Sequence, residues 1–194
     1  MNKEKKLVTS DKTVYTVGYL RQVSWHTLKE AKEEEKGSYL NLMASLVFSA
    51  FTIEAYLNYL GEKVIPFWST IERGLSPSKK LEIIVTQLRQ HIDFVRRPFQ
   101  SFTSLFKLRD FLAHGRTEYL TDQNVQILSD EEELKLPIAK RQKQVTIENV
   151  QRYFDDTKEM IEFLHSVSGL DFNPLFVPEI AGWSISPVEN KKSE

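Results

Sequence analysis

The segment from Ser38 to Lys63, "SYLNLMASLVFSAFTIEAYLNYLGEK", constrains the fold of this chain more than any other part of it. Read at 3.6 residues per turn, its apolar side chains fall on almost every side of a helix. Such a helix is stable only when neighbours cover it on several faces. Ser38 is its predicted cap and Gly61 marks its end. The apolar run from Tyr39 to Leu60 is interrupted by Asn41, Ser45, Ser49, Glu54 and Asn58, so the sequence predicts a buried helix and not a membrane span.

The neighbours are legible on either side. Only 7 Gly and 7 Pro occur in 194 residues, and long segments contain neither, which favours helices. A first helix is predicted from about Gly18 to Lys36, with Leu20, Val23, Thr27 or Leu28, and Ala31 as its stripe. "VIPFWSTIERGLSP" reads as a connector with one short helical turn. A third helix opens after Ser76-Pro77 and carries Leu81, Ile84, Val85, Leu88 and Ile92. A fourth runs from Arg97-Pro98 through "FQSFTSLFKLRDFLAH" to a stop at Gly115. A fifth is capped by Thr146 and carries Ile147, Val150, Phe154, Ile161 and Leu164 before Gly169.

Residues 116–145 break the helical period. "NVQILSD" and "EELKLP" alternate around an acidic turn and predict a small β-hairpin. In the tail, 169–194, Phe172, Phe176 and Trp183 are expected to press on the body. The predicted fold class is therefore all-α: an up-and-down bundle of about five helices, with a hairpin-like insertion between the last two long ones. One domain is expected over 1–194, with its core at about 20–168.

Bulk chemistry narrows the function classes. The net charge of −1 gives no global attraction to a polyanion, so any RNA must be held by a local patch. Cys is absent, which excludes disulfides, thiolate catalysis and Cys-based zinc sites. His26, His91, His114 and His165 show no metal-ligand spacing, and no glycine-rich phosphate loop or hydrolase motif occurs, so neither a metal nor a cofactor is expected. No basic-then-apolar leader opens the sequence, and the expected compartment is the cytoplasm.

The polar residues that remain lie in "RDFLAHG", 109–115. Arg109 falls on the inward line Phe102, Leu105, Arg109, Leu112. A guanidinium there must find an acidic partner or face a cleft. Asp110 lies one turn before His114, at i and i+4, where its carboxylate could orient the imidazole. On the central helix Glu54 and Asn58, four apart, are the polar pair most in need of partners, and Glu54 is a natural partner for Arg109. Each residue also has an ordinary structural role open to it: an internal Glu54–Arg109 bridge, and a helix-end histidine that closes carbonyls. The spacing alone carries little weight, since Arg21 and His26 repeat it in "RQVSWH" without an acidic neighbour or a glycine stop.

An apolar helix "FSAFTIEAYLNYLG", a linker, an amphipathic helix and then "LRDFLAHG" together resemble the HEPN superfamily, the higher eukaryotes and prokaryotes nucleotide-binding domains. The resemblance spans roughly residues 20 to 165. Its hallmark is Arg followed by Asn, Asp or His, with a His four to six residues after the Arg; Arg109, Asp110 and His114 match it. The resemblance implies a single HEPN-like helical domain that dimerises so that two Arg/His pairs line one cleft. It also implies a metal-independent endoribonuclease, often a toxin or a phage-defence effector, with Arg109 and His114 catalytic and Asp110, Glu54 and Asn58 supporting. Members regulated by a nucleotidyltransferase partner commonly carry Tyr two residues after the His. Here that position is Arg116, so tyrosine modification is not expected, and Arg116 adds a cation suited to RNA phosphate. An antitoxin is the other partner the resemblance implies. Inactive members act as non-catalytic dimeric modules that bind a nucleotide, RNA or protein, and this is the alternative reading.

Overall fold

The computed structural model describes residues 5–34, 36–115, 117–121, 137–139 and 142–187. Among them the order of elements is β1 (Lys6–Val14), α1 (Thr16–Glu33), α2 (Tyr39–Val64), α3 (Trp68–Ile71), α4 (Pro77–Gln87), α5 (Gln100–Ala113), α6 (Ile147–Ser168) and β2 (Glu179–Pro187). The described chain is mostly helical, with one two-stranded sheet.

The central segment does what its composition demands. α2 packs against α1, α4, α5 and α6, and Leu46, Ala50, Tyr56, Leu57 and Leu60 have no exposed surface. By length and composition alone α2 could cross a membrane. Half of its most apolar stretch is covered by its neighbours. The serines that interrupt it have a packing role: Ser24 Oγ of α1 bonds the Ser45 carbonyl at 2.9 Å and lies 2.8 Å from Ser49 Oγ. Small side chains let the two helices approach, and the mutual bonds satisfy hydroxyls that would be costly to bury alone.

Caps fix the ends of the shorter helices. Ser76 Oγ accepts from the Lys79 amide at 3.4 Å, with Pro77 in the first turn of α4. Thr146 Oγ accepts from the Asn149 amide at 3.3 Å, and α6 stops at Gly169, which is left-handed at φ 71°. Ser38 does not cap α2. Its backbone is already helical (φ −62°, ψ −16°) and its side chain makes no cap bond. Past the end of α2, the ring of Trp68 lies flush against Gly61; a Cβ there would meet it at 2.2 to 2.6 Å. At the far end of α5, Asp156 of α6 is fully buried, taking a 2.8 Å bond from Arg97 Nε and a second bond from the Ser101 hydroxyl.

The expectation of an all-α chain is corrected by the ribbon of β1 and β2. The strands pair antiparallel from Lys6 opposite Pro187 to Val14 opposite Glu179. β1 is rich in β-branched residues (Val8, Thr9, Thr13, Val14) and β2 carries only Ile180 and Ile185; they lie at opposite ends of the chain, so no turn sequence between them announces a hairpin. Two of the three tail aromatics touch the body: the Phe172 ring lies 4.8 Å from that of Tyr15, and Phe176 stacks over Arg21. Trp183 instead stands on the ribbon, 74% exposed. Most of the expected hairpin at 116–145 lies outside the described residues. The described parts, 117–121 and 137–139, have no regular structure, and Gln142–Gln144 is a 3-10 turn.

Candidate functional site

Three helices meet around one guanidinium. On α5, Phe102, Leu105 and Leu108 are buried and seat the helix in the core. Arg109 comes at the edge of that buried face, with its side chain 19% exposed. Its Nη2 lies 3.3 Å from Glu54 Oε2 on α2, and its Nη1 lies 3.2 Å from Asp110 Oδ1. The plane of the guanidinium is flanked by the rings of Phe106, at 5.2 Å, and Phe51, at 5.9 Å. This arrangement suits a delocalised cation that is only weakly hydrated. Arg109 Nε is buried and makes no hydrogen bond among the described residues.

The other oxygen of Glu54 is also occupied. Lys80 Nζ of α4 lies 3.3 Å from Oε1, and the Lys80 side chain is only 6% exposed. Glu54 therefore bridges two cations from two helices, and α2, α4 and α5 are joined through its carboxylate. Sequence reasoning missed Lys80. The available signal was its position one turn before Ile84, on the face of α4 that enters the core.

His114 is the residue on which α5 ends. Its amide donates to the Asp110 carbonyl at 2.9 Å, and the residue is exposed at the surface. The helical run closes on His114 (φ −118°, ψ 18°), and Gly115, the stop read from the sequence, is the first residue beyond it, without the left-handed conformation. The expected Asp110–His114 contact is corrected as well. The Asp110 carboxylate turns back to Arg109, the nearer and permanent cation, and among the described residues no ion pair links it to the imidazole.

Asn58 does not join the cluster either. It lies one turn beyond Glu54, but lines a separate groove beside Tyr59, Glu62 and the chain at 13–17. Its Oδ1 is buried there, with no hydrogen-bond partner among the described residues. Arg116 lies outside the described residues. The second Arg/His copy is taken apart by the fold. Arg21 turns inward between the rings of Phe154, at 5.6 Å, and Phe176, at 5.0 Å, while His26 is exposed. Burial holds the Arg21 guanidinium below its usual range, with only the attraction of Glu162 opposing this.

Among the described residues no cluster of three or more His, Asp or Glu is arranged to hold a metal. Chemically, the assembled groups offer a fixed, part-exposed cation, anchored by one carboxylate and partly screened by a second. An exposed imidazole stands at the end of the same helix. In comparisons with known proteins, no family model, no curated protein and no solved structure matches this chain.

Proposed function

We propose that the chain is a metal-independent endoribonuclease of the HEPN type, working as a cytoplasmic homodimer in a toxin–antitoxin or phage-defence setting. We read its four long helices as the corresponding up-and-down bundle. The observation that carries this reading is the end of α5, where Arg109 is anchored but still part-exposed and His114 is open to a substrate. In the reaction, a ribose 2′-OH gives up its proton and attacks the adjacent phosphorus. The 5′-oxygen leaves and takes a proton, so the products are a 2′,3′-cyclic phosphate and a 5′-hydroxyl end. His114 takes or returns a proton, and Arg109 stabilises the charge that grows on the phosphoryl oxygens. One histidine cannot serve as base and acid at once, so a paired site is the natural arrangement.

A partly uncovered stripe on α2 supports the dimer. Leu40, Ala44, Val47, Phe51 and Ala55 recur at helical spacing on a face that the bundle leaves open. Leu40 is 69% and Phe51 38% exposed. Phe51 also touches Arg109, so a second copy packed on this stripe would stand beside the site. The bridge from Arg109 to Glu54 favours one other reading, a non-catalytic dimeric module in which the pair only joins α2 to α5 and the surface binds RNA, a nucleotide or a protein partner.

The test is cleavage of RNA in EDTA by wild type, Arg109→Ala, His114→Ala and His26→Ala. Cleavage with cyclic phosphate ends, lost in the first two variants and kept in the third, supports the enzyme. Undiminished cleavage by His114→Ala sinks the mechanism.

A further inference from the structure

A buried lysine is the group at this site that the proposed reaction does not use. Lys80 contributes no exposed charge, and its recorded contact is the 3.3 Å approach to Glu54 Oε1. Glu54 turns its other oxygen to Arg109, and Asp110 takes a further edge of the same guanidinium. Two cations and two carboxylates thus sum to zero. Without the lysine, the two carboxylates would outweigh Arg109 and leave the cluster at −1, which repels an anion.

We propose that Lys80 is a positioning residue: it serves as counter-ion to Glu54, so that Glu54 orients Arg109 without cancelling the charge that a phosphate group must meet. The inference rests on reading Arg109 as a phosphate-binding group, and it deepens that reading by assigning the local charge balance to α4. Glu54 is then an anchor shared by two cations. Arg109 keeps the exposed part of its guanidinium for the ligand.

The probe is inorganic phosphate, titrated into the full chain and followed by the Arg109 Nε–H cross-peak in nitrogen–proton NMR, assigned by its loss in Arg109→Lys. An uncompensated charge about 10 Å from the phosphate, across Glu54 and Arg109, is worth roughly tenfold in affinity at an effective dielectric of about 20. Lys80→Met should therefore bind phosphate about tenfold more weakly than wild type. The double variant Glu54→Gln/Lys80→Met restores neutrality and should recover wild-type affinity to within about threefold. A lysine that merely packs would give no such recovery. Lys80→Gln, which still donates to Glu54 but carries no charge, replaces Lys80→Met if that variant does not fold. Unchanged binding in the single variant, no recovery in the double one, or no phosphate binding at Arg109 in wild type each overturns the proposal. Failure to cleave RNA while phosphate titrates as described would overturn only the ribonuclease reading.

Discussion

At the scale of single residues, Arg109 and His114 should separate under mutation because their surroundings differ. His114 is exposed, and among the described residues its bond to the fold is the one from its amide. His114→Ala should leave the unfolding free energy in urea within about 0.5 kcal/mol of wild type while lowering cleavage by about 10²-fold or more. Arg109 joins α5 to α2 and covers two phenylalanine rings. Arg109→Ala should lower cleavage comparably and also cost about 1–2 kcal/mol in the same unfolding measurement. Equal stability losses in the two variants would contradict the geometry. The residue scale is also where the sequence was least readable. That Glu54 needed a cation follows from its place on an apolar helix, and Arg109 was the evident candidate. That Asp110 would choose Arg109 over His114 depends on side-chain directions that spacing does not set. Lys80 stayed hidden because a lysine on an amphipathic helix normally reads as solvated.

Among the elements, legibility followed local chemistry. α4 and α6 begin at Ser76 and Thr146 as their cap sequences require, and α2 is the central helix its composition demands. β1 and β2 were not legible because each needs a partner about the whole chain away. The ribbon carries its own electrostatic lock. Glu179 bonds Lys12 at 2.6 Å and also accepts from the Tyr19 hydroxyl. Those bonds, Lys12 first, hold its carboxyl below the ordinary range. A lowered carboxyl pKa stabilises the ribbon above the unfolded value and ceases to do so as pH falls through the folded one. Acidification below about pH 4 should therefore loosen β1 and β2 while the helical signal persists. Cross-strand NMR contacts between Ser10 and Trp183 report it, and Glu179→Gln should remove the pH dependence. At the junction of α5 and α6, Asp156→Ala strands the Ser101 and Arg97 donors and should cost about 2 kcal/mol by urea unfolding; a neutral result would mean the buried carboxylate holds nothing together.

For the whole molecule, the open stripe of α2 makes oligomeric state the decisive measurement. A chain of 22.6 kDa should run at twice that mass by light scattering. Phe51→Asp, which puts a charge in the middle of the stripe, should return it to the single-chain mass and abolish cleavage. Full activity in a strictly monomeric variant would contradict the paired-site reading. The order of the long helices could be read from the sequence because each carries its own period. Which face of α2 the other described helices leave partly uncovered could not, since an all-round apolar helix gives no preferred side.

The ribbon also determines how the molecule responds to force. Lys6 faces Pro187, so the outer ends of the first and last strands leave the ribbon at the same end. Tension applied there loads one backbone pair at a time, like opening a zipper, and never the whole ladder in shear. The strands would part at low force before any load reached α1 or α6, leaving the helices around Arg109 undisturbed while the ends are drawn apart.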